Sequence, residues 1–490
     1  MKKVFYITTP IYYINDVPHI GHAYTTVAAD VLARYYRGKG EDVFFLTGVD
    51  EHGAKIAEAA SRAGMEPKEF TNSLVPRFEE AWKNLNIKYS EFFRTTNPKH
   101  EEIVKKLILD LKDRGYVEKR NYQGLYCTAC EKFLLPDELK DGKCPDHGTE
   151  PKEHFEENYF FLLPKLADKL LKVIESGEIV ISPQSRKNEV IGKIKAGLED
   201  VSISREKVEW GIPFPGDESQ TIYVWIDALI NYWSATKIYQ VQSPKSLVSP
   251  SASRGGKVQS DGIWPPDIHL MAKDILWFHA IIWLAILLAL DIPLPKKIFA
   301  HGFFTVDGQK MSKTRGNVLD PNKLVKIFGA DAVRYALLRE FPFGEDGDIS
   351  EEKIAHRYQS ELSNGLGNLV QRTISMVNKY NVEIRNPNDE KNPKSELGKI
   401  GKLVEELKFD QALQEVNSEI TRLNQYIEEN KPWELAKKNK DELVLILTKV
   451  YQALESLILP LSIFMPETAN NMRVQLETLK PAPLFPRIES

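Results

Sequence analysis

Three features of this 490-residue chain predict an open α/β sheet, doubly wound and parallel, with an inserted segment and a helical C-terminal region. Strand-like apolar runs alternate with a helical pattern near the N-terminus, as in sheets built from βαβ units. A turn-rich, cysteine-bearing stretch at 116–200 then interrupts that rhythm. From about Glu351 onward the apolar residues keep helical spacing almost without a break.

The elements follow in order. Val4–Thr9 reads as a buried strand and Pro18–Arg37 as a helix, with Val27, Val31 and Tyr35 on one face and Pro18 in the first turn, where its missing N–H costs nothing. Asp42–Thr47 reads as a second strand ending at Gly48, and helical patterns continue to about Gly115. After the 116–200 insertion, TIYVW (221–225) reads as a resumed strand. The run ILWFHAIIWLAILLAL (275–290) contains His279 and falls short of the ~20 residues a membrane span needs. It reads as a buried helix, and no membrane partner is expected. Ser243–Ser260 is serine-rich and reads as a surface loop. Ile298–Val306 reads as a strand closed by the Asp307-Gly308 turn. Two stripes then predict a helical bundle: Leu413, Val416, Ile420, Leu423 and Ile427, and Leu443, Ile446, Leu447, Val450, Leu454 and Leu457. The resulting units are 1–115 and 201–297 (two halves of the sheet domain), 116–200 (insertion), 298–355 (a loop-bearing link) and 356–490 (helical).

Composition narrows the function. With 42% hydrophobic and 27% charged residues the chain is globular. A net charge of −4 excludes a general basic field, so a polyanionic partner has to be met by local patches. The N-terminus lacks the apolar core of a secretory signal. Three cysteines within 18 residues do not make a disulfide scaffold. A reduced, cytoplasmic protein is expected.

Two short motifs carry chemistry. PHIGHAY (18–24) places His19 and His22 three apart at a helix start, with Gly21 leaving room for a ligand. Free N–H groups and the helix dipole favour a phosphate there. The plainer reading is a pair of surface histidines. KMSKTRG (310–316) puts Lys310, Lys313 and Arg315 around small hydroxyl residues, either as a solvated basic loop or as a clamp on further phosphates.

In order and in these elements, HIGH at 19–22 and KMSKT at 310–314 resemble the paired signature of the class I aminoacyl-tRNA synthetases; Thr314 stands where that family usually has serine. The resemblance implies a Rossmann-type catalytic fold. It implies that His19 and His22 act at the α-phosphate of ATP with Gly21 close by, and that Lys310 and Lys313, with Met311 and Ser312, hold the departing pyrophosphate. Mg2+ would accompany the ATP. No general base is needed, because the attacking carboxylate is already ionised; catalysis is alignment and charge stabilisation. TTPIYYIND (8–16), TGVDEHG (47–53), YVWIDALINYW (223–233) and KDILWFHAIIW (273–283) resemble the methionine-specific branch of that family. By that resemblance Ile11, Tyr13, Trp225, Ala228, Leu229, Tyr232, Ile275, His279 and Trp283 line a thioether pocket, Asp50 takes the ammonium group and Asp274 the ribose. Aromatic and aliphatic walls suit an unbranched, polarizable side chain. Ala272 stands where the family usually has glycine, which bears on the adenosine contact.

Cys127-x-x-Cys130, thirteen residues and Cys144-x-x-His147 form two short knuckles with two ligands each. That is the pattern of one closed, structural zinc site; a redox dithiol and buried thiols are the alternatives. NGLGNLVQR (364–372) and NKPWELAK (430–437) resemble the family's anticodon-reading positions. Asn368 and Arg372 would bond base edges, and Pro432 and Trp433 would offer a stacking surface. The partners implied are ATP, L-methionine and tRNA(Met), initiator tRNA included. The chain stops at LFPRIES without a further β-barrel domain, so a monomer is expected. Two competing readings are a small-molecule nucleotidylyltransferase, which also carries an HxGH motif, and a catalytically silent tRNA-binding relative.

Overall fold

The computed structural model describes residues 4–128, 132–134, 138–145, 148–206, 208–242, 262–306, 308–311, 317–384 and 397–488. The serine-rich 243–260 stretch lies outside them. The chain divides into two compact units: Met1–Val17, Leu46–Pro76 and Ser90–Ala300 form one, and Pro18–Phe45, Arg77–Tyr89 and His301–Ser490 the other.

The first unit is organised by a six-stranded sheet in the spatial order Glu91–Arg94, Asp42–Asp50, Val4–Tyr13, Ile268–Ala272, Lys297–His301, Val180–Ser182. Pairing is parallel between Leu46–Val49 and Glu91–Arg94, between Ile7–Thr8 and Ile268–His269, and between Lys297–Phe299 and Val180–Ser182. Strand order therefore reverses between Val4–Tyr13 and Ile268–Ala272. Ligands of open α/β sheets bind beyond the carboxyl ends of the strands at that point.

The strands run longer than their apolar cores suggest. The first continues to Tyr13 and the second to Asp50. Gly48 is therefore an interior strand residue, not a terminator: a Cβ there would lie 2.1 Å from the Phe93 carbonyl oxygen. A short strand, Glu91–Arg94, also interrupts the helices before Gly115.

The insertion is built on a long antiparallel ladder. Val117–Cys127 pairs with Lys152–Phe161 from Val117 opposite Phe161 to Tyr126 opposite Lys152. Its cysteine end meets Lys132–Leu134. The 116–200 stretch also returns to the main sheet, because Val180–Ser182 is that sheet's edge strand. TIYVW is a strand only as far as Ile222. Asp217–Ile222 belongs to a small antiparallel sheet, and the carbonyl of Tyr223 accepts from Ile226 N and Asp227 N, opening the helix Val224–Gln242. The run is apolar because this helix is buried on nearly all sides, which period-2 reading mistakes for a strand.

In the second unit the helix begins at Ile20, so Pro18 precedes it and His19 caps it. The expected Ile298–Val306 strand is two, Lys297–His301 and Phe304–Val306. Between them a Cβ on Gly302 would lie 2.2 Å from the Glu345 carbonyl oxygen. From Glu351 onward every element among the described residues is a helix. Both predicted stripes are buried, from Leu413 to Ile427 and from Leu443 to Leu457. The helix Lys440–Phe464 is long and apolar enough to cross a bilayer, yet half of its most apolar window is buried within the protein.

Candidate active site

His19 is the cap of the helix Ile20–Gly38 and builds a reciprocal box with His22. Its Nδ1 accepts from Gly21 N at 3.1 Å, and His22 Nδ1 accepts from His19 N at 3.3 Å. The rings stack with centroids 3.7 Å apart. A nitrogen that accepts a backbone N–H carries no proton, so each neutral ring bears its proton on Nε2. Each ring thus keeps one N–H donor at a helix N-terminus, where negative charge is favoured. The following residue, Ile20, donates its N–H to Leu319 O at 2.9 Å.

The second motif begins in the same unit. Phe304–Val306 pairs with Gln309–Lys310 as a hairpin whose Gly308 has φ +71°. A Cβ placed on Gly21 would come within 3.0 Å of the His19 ring and 3.6 Å of Met311 Cε. The glycine of the first signature and the methionine of the second are therefore neighbours. Lys310 lies in the hairpin strand; Ser312 and Lys313, with Thr314 and Arg315, lie outside the described residues. Just before the hairpin, buried His301 pairs Nε2 with Thr25 Oγ1 at 2.6 Å and Nδ1 with Gly302 O at 2.7 Å. Burial pushes its pKa down to about 4.

The proposed methionine residues belong to the first unit. Ile11 is buried and Tyr13 half-buried at the end of the first strand. Trp225, half-buried, stacks on Phe278 with centroids 3.8 Å apart and planes 4° from parallel. Ala228, Leu229 and Tyr232 follow on the same helix, all buried. His279 pairs Nδ1 with Ile275 O at 2.9 Å, so Nε2 accepts from the Tyr232 hydroxyl at 2.8 Å. Burial lowers the His279 pKa to about 4. Behind it, His269 contacts Thr8 Oγ1 at 2.6 Å and receives the indole N–H of fully buried Trp283. Tyr232, His269, His279 and Trp283 thus form an uncharged aromatic cluster. Asp274 is exposed on a short 3-10 turn. Ala272 has φ −77°, a conformation open to any residue, so the missing glycine strains nothing.

Asp50 ends the second strand, 7% exposed, with its carbonyl receiving Ile14 N at 3.1 Å. Its neighbours form a network that the motifs alone did not reveal. Glu51, fully buried, takes Arg94 through both oxygens and Thr96 Oγ1 at 2.7 Å. His52 Nδ1 contacts Asp227 Oδ2 at 2.7 Å, His100 Nε2 contacts Asp227 Oδ1 at 2.7 Å, and His100 Nδ1 contacts Ser234 Oγ at 2.6 Å. Burial alone would lower the His52 pKa, but the Asp227 carboxylate overcomes it and raises it. Burial likewise opposes ionisation of Asp227, and the two imidazoles reverse that, holding its pKa below the usual range. His52 and Asp227 stood inside the signature stretches; the clue was a histidine two residues past one pocket residue and an acid two past another. Phe278 was missed for a different reason, because a stacking partner cannot be told from core in an apolar run.

Of the metal candidates, Cys127 and Cys144 are buried together with Leu134 in one small cluster, against Leu139. Cys130 and His147 lie outside the described residues. Among the described residues no group of three or more metal-ligating side chains gathers.

In the helical region Asn368 is exposed at the start of Asn368–Lys379, directly after a π-helical stretch, Tyr358–Gly367. Arg372, one turn on, pairs with Glu428 at 2.7 Å. Glu428 sits near the end of Phe409–Asn430, which hands over through Lys431 (φ +44°) to Pro432, the buried first residue of the next helix, and Trp433, 38% exposed.

An open α/β sheet and a histidine-capped helix whose Gly21 lies against Met311 form the arrangement of the class I aminoacyl-tRNA synthetases. The model for "tRNA synthetases class I (M)" matches residues 5–154 and 134–374. The methionine–tRNA ligase of Caldanaerobacter subterraneus subsp. tengcongensis is 45% identical over 97% of this chain and 74% of its own length. That of Nostoc sp. is 41% identical over 97% of this chain and 90% of its own. The solved structure of Mycobacterium tuberculosis methionyl-tRNA synthetase in complex with methionyl-adenylate matches with a TM-score of 0.87 and 34% identity, over 99% of this chain and 100% of that one. The chain belongs to the methionine–tRNA ligase family.

Two outcomes follow from this geometry. Alanine at Gly21 adds helix propensity, worth up to about 1 kcal/mol, but crowds the His19 cap, a loss of similar size, so stability should change little. Its Cβ displaces the His19 ring, and adenylate formation should drop by roughly ten- to a hundredfold; unchanged rates would show that His19 is not held against Gly21. His279 and His301 have folded pKa values near 4, below the ordinary 6.5. The unfolded chain therefore binds more protons between those values, and stability is lost as pH falls from about 6.5 to about 4. Denaturation midpoints across that window should show the fall, and His279→Gln should remove part of it.

Proposed function

We propose that the chain joins L-methionine to tRNA(Met), initiator tRNA included: ATP and methionine give methionyl-adenylate and pyrophosphate, and the acyl group then passes to the terminal adenosine of the tRNA. The observation that carries this reading is the meeting of the two signatures, with Met311 Cε 3.6 Å from the Cβ position of Gly21. The Nε2–H groups of His19 and His22 donate to the oxygens of the α-phosphate as charge develops there, while Lys310 and Lys313, with Met311 and Ser312 in their loop, hold the departing phosphates. Mg2+ travels with the ATP and offsets phosphate charge. Donors that are fixed before the reaction need no reorganisation during it, and most of the rate enhancement at such a site comes from them. Asp274 is assigned to the ribose and Asp50 to the substrate ammonium. The uncharged wall from Ile11 and Tyr13 to Trp225, Ala228, Leu229, Tyr232, Ile275, His279 and Trp283 is assigned to the thioether. The reaction belongs to translation, and the enzyme is accordingly assigned to the cytoplasm.

Zinc fits the insertion. Two buried thiols brought into one cluster from separate turns, each beside a second potential ligand in sequence, are the donor set of a structural site. Cys127, Cys130, Cys144 and His147 would hold the ion and so fix the tip of the ladder. The helical region is assigned to the anticodon: Asn368 and Arg372 share one helix face, and outward-facing Trp433 offers a surface on which a base can stack.

Amino-acid-dependent exchange of pyrophosphate into ATP, without tRNA and across all twenty amino acids, is expected with methionine alone. Exchange with another amino acid would overturn the pocket assignment, and no exchange at all would favour a nucleotidylyltransferase or a silent relative. Metal analysis of the purified chain should find about one zinc, abolished by replacing Cys127 and Cys144 with serine; a metal-free wild-type protein counts against the knuckle. Trp433→Ala should lower kcat/KM for tRNA by roughly five- to 150-fold, the equivalent of ~1–3 kcal/mol of stacking, with pyrophosphate exchange unchanged.

A further inference from the structure

We propose that Asp227, with His52 and His100, is a positioning device for methionine: it locks the strand end that carries Asp50 to the helix turn that carries the thioether wall, and so fixes the distance between the two ends of the substrate. The device rests on the pocket reading above and adds residues to it that touch no substrate.

Its members sit where such a tie has to be. Asp227 lies two residues after Trp225 and directly before Ala228 and Leu229, in the first turn of Val224–Gln242. His52 lies two residues after Asp50, at the end of the second strand. One carboxylate oxygen of Asp227 meets His52 at 2.7 Å and the other meets His100 at 2.7 Å, so the group is held from both sides. His100, on the helix Pro98–Asp113, is in turn fixed by Ser234, two turns along the pocket helix from Asp227. All three members are nearly inaccessible, with relative exposures of 4% for His52, 0% for His100 and 1% for Asp227.

The strand end is held independently on its other side. Gly53 N donates to Trp210 O at 3.0 Å, the Trp210 indole donates to Glu51 O, and Arg94 grips the Glu51 carboxylate. Two rigid pieces are thus joined through one carboxylate. Two hydrogen bonds of 2.7 Å, one on each oxygen, hold the Asp227 carboxylate in a single orientation. What such a pair supplies is a directional, fixed spacing. A single-methylene change in amino-acid length is worth only ~1–3 kcal/mol to an apolar pocket, so the distance from ammonium acid to pocket wall is where methionine is measured.

The test is steady-state pyrophosphate exchange with the full chain. Asp227→Asn and His52→Leu should raise KM for methionine by about ten- to a hundredfold, leave KM for ATP within about twofold, and narrow the preference for methionine over norleucine. His52→Gln, which keeps an N–H donor toward Asp227, should restore most of the methionine KM. A purely structural role would lower stability and active fraction in both His52 variants while leaving every KM unchanged, and that result overturns the proposal. Should Asp227→Asn fail to fold, Ser234→Ala removes only the far support of His100; a methionine KM unchanged there would equally overturn it. Asp50→Asn separates the pocket reading from the positioning device. If it leaves methionine KM unchanged, the pocket reading itself fails; if it raises that KM while the Asp227 and His52 variants do not, only the positioning device fails.

Discussion

A fully buried ion pair, Asp30 with Arg334, organises the unit that carries both signatures. Asp30 projects from the histidine-capped helix and takes Arg334 at 2.8 Å, Arg34 at 2.6 Å and the backbone N–H of Lys88 at 2.8 Å. Arg334 spends its other donors on the carbonyls of Phe464, Leu85 and Ile463. Three stretches far apart in sequence, 18–45, 77–89 and 301–490, are thereby tied at one point. Neither side chain is exposed at all. Such a pair tolerates burial only because every strong donor and acceptor is satisfied, and removing one partner costs about 3–5 kcal/mol. The position of the signature helix beside the C-terminal helices therefore depends on it. Tyr35 and Lys39 add a second tie from the same helix, to Glu405 at 2.7 and 2.8 Å.

The histidines divide by what burial does to them. His269, His279 and His301 sit among aromatics and hydroxyls, where desolvation has no charge to oppose it and holds them neutral. Each then works as a directional relay, donating from one nitrogen and accepting on the other. His52 is equally buried but faces a carboxylate, which raises its pKa against the effect of burial. His19 and His22 are only half-buried, and their tautomers are set by backbone N–H groups instead. The same side chain thus serves as a helix cap, a neutral relay among aromatics and a partner to a buried carboxylate, according to its surroundings.

Much of the fold was legible because it follows from periodicity. The doubly wound opening, the buried 275–290 run and both apolar stripes of the helical region were readable from spacing alone. Errors fell where a short apolar run has no period. TIYVW reads as a strand until Tyr223 is seen to cap a helix, and Ile298–Val306 reads as one strand until Gly302 is seen pressed against Glu345. Of the candidate site, the two signatures and the aromatic residues proposed for the pocket were visible as residue types at characteristic spacing. Asp30, Arg334 and the His52–Asp227–His100 cluster were not, since an ordinary acid and base in a helix say nothing of burial until their partners are known.

What the sequence determined by itself was the chemistry available: imidazoles at a helix start, closely spaced lysines after a tight turn, paired cysteines and an uncharged aromatic set. Local rules decide these, because capping, turn type and period act over a few residues. Only the tertiary structure decided which nitrogen of each histidine bears the proton, that Met311 lies beside Gly21, and that one buried carboxylate bridges the end of a strand to the start of the helix Val224–Gln242. Those outcomes turn on contacts between residues as much as 290 positions apart, and no local pattern encodes such a distance.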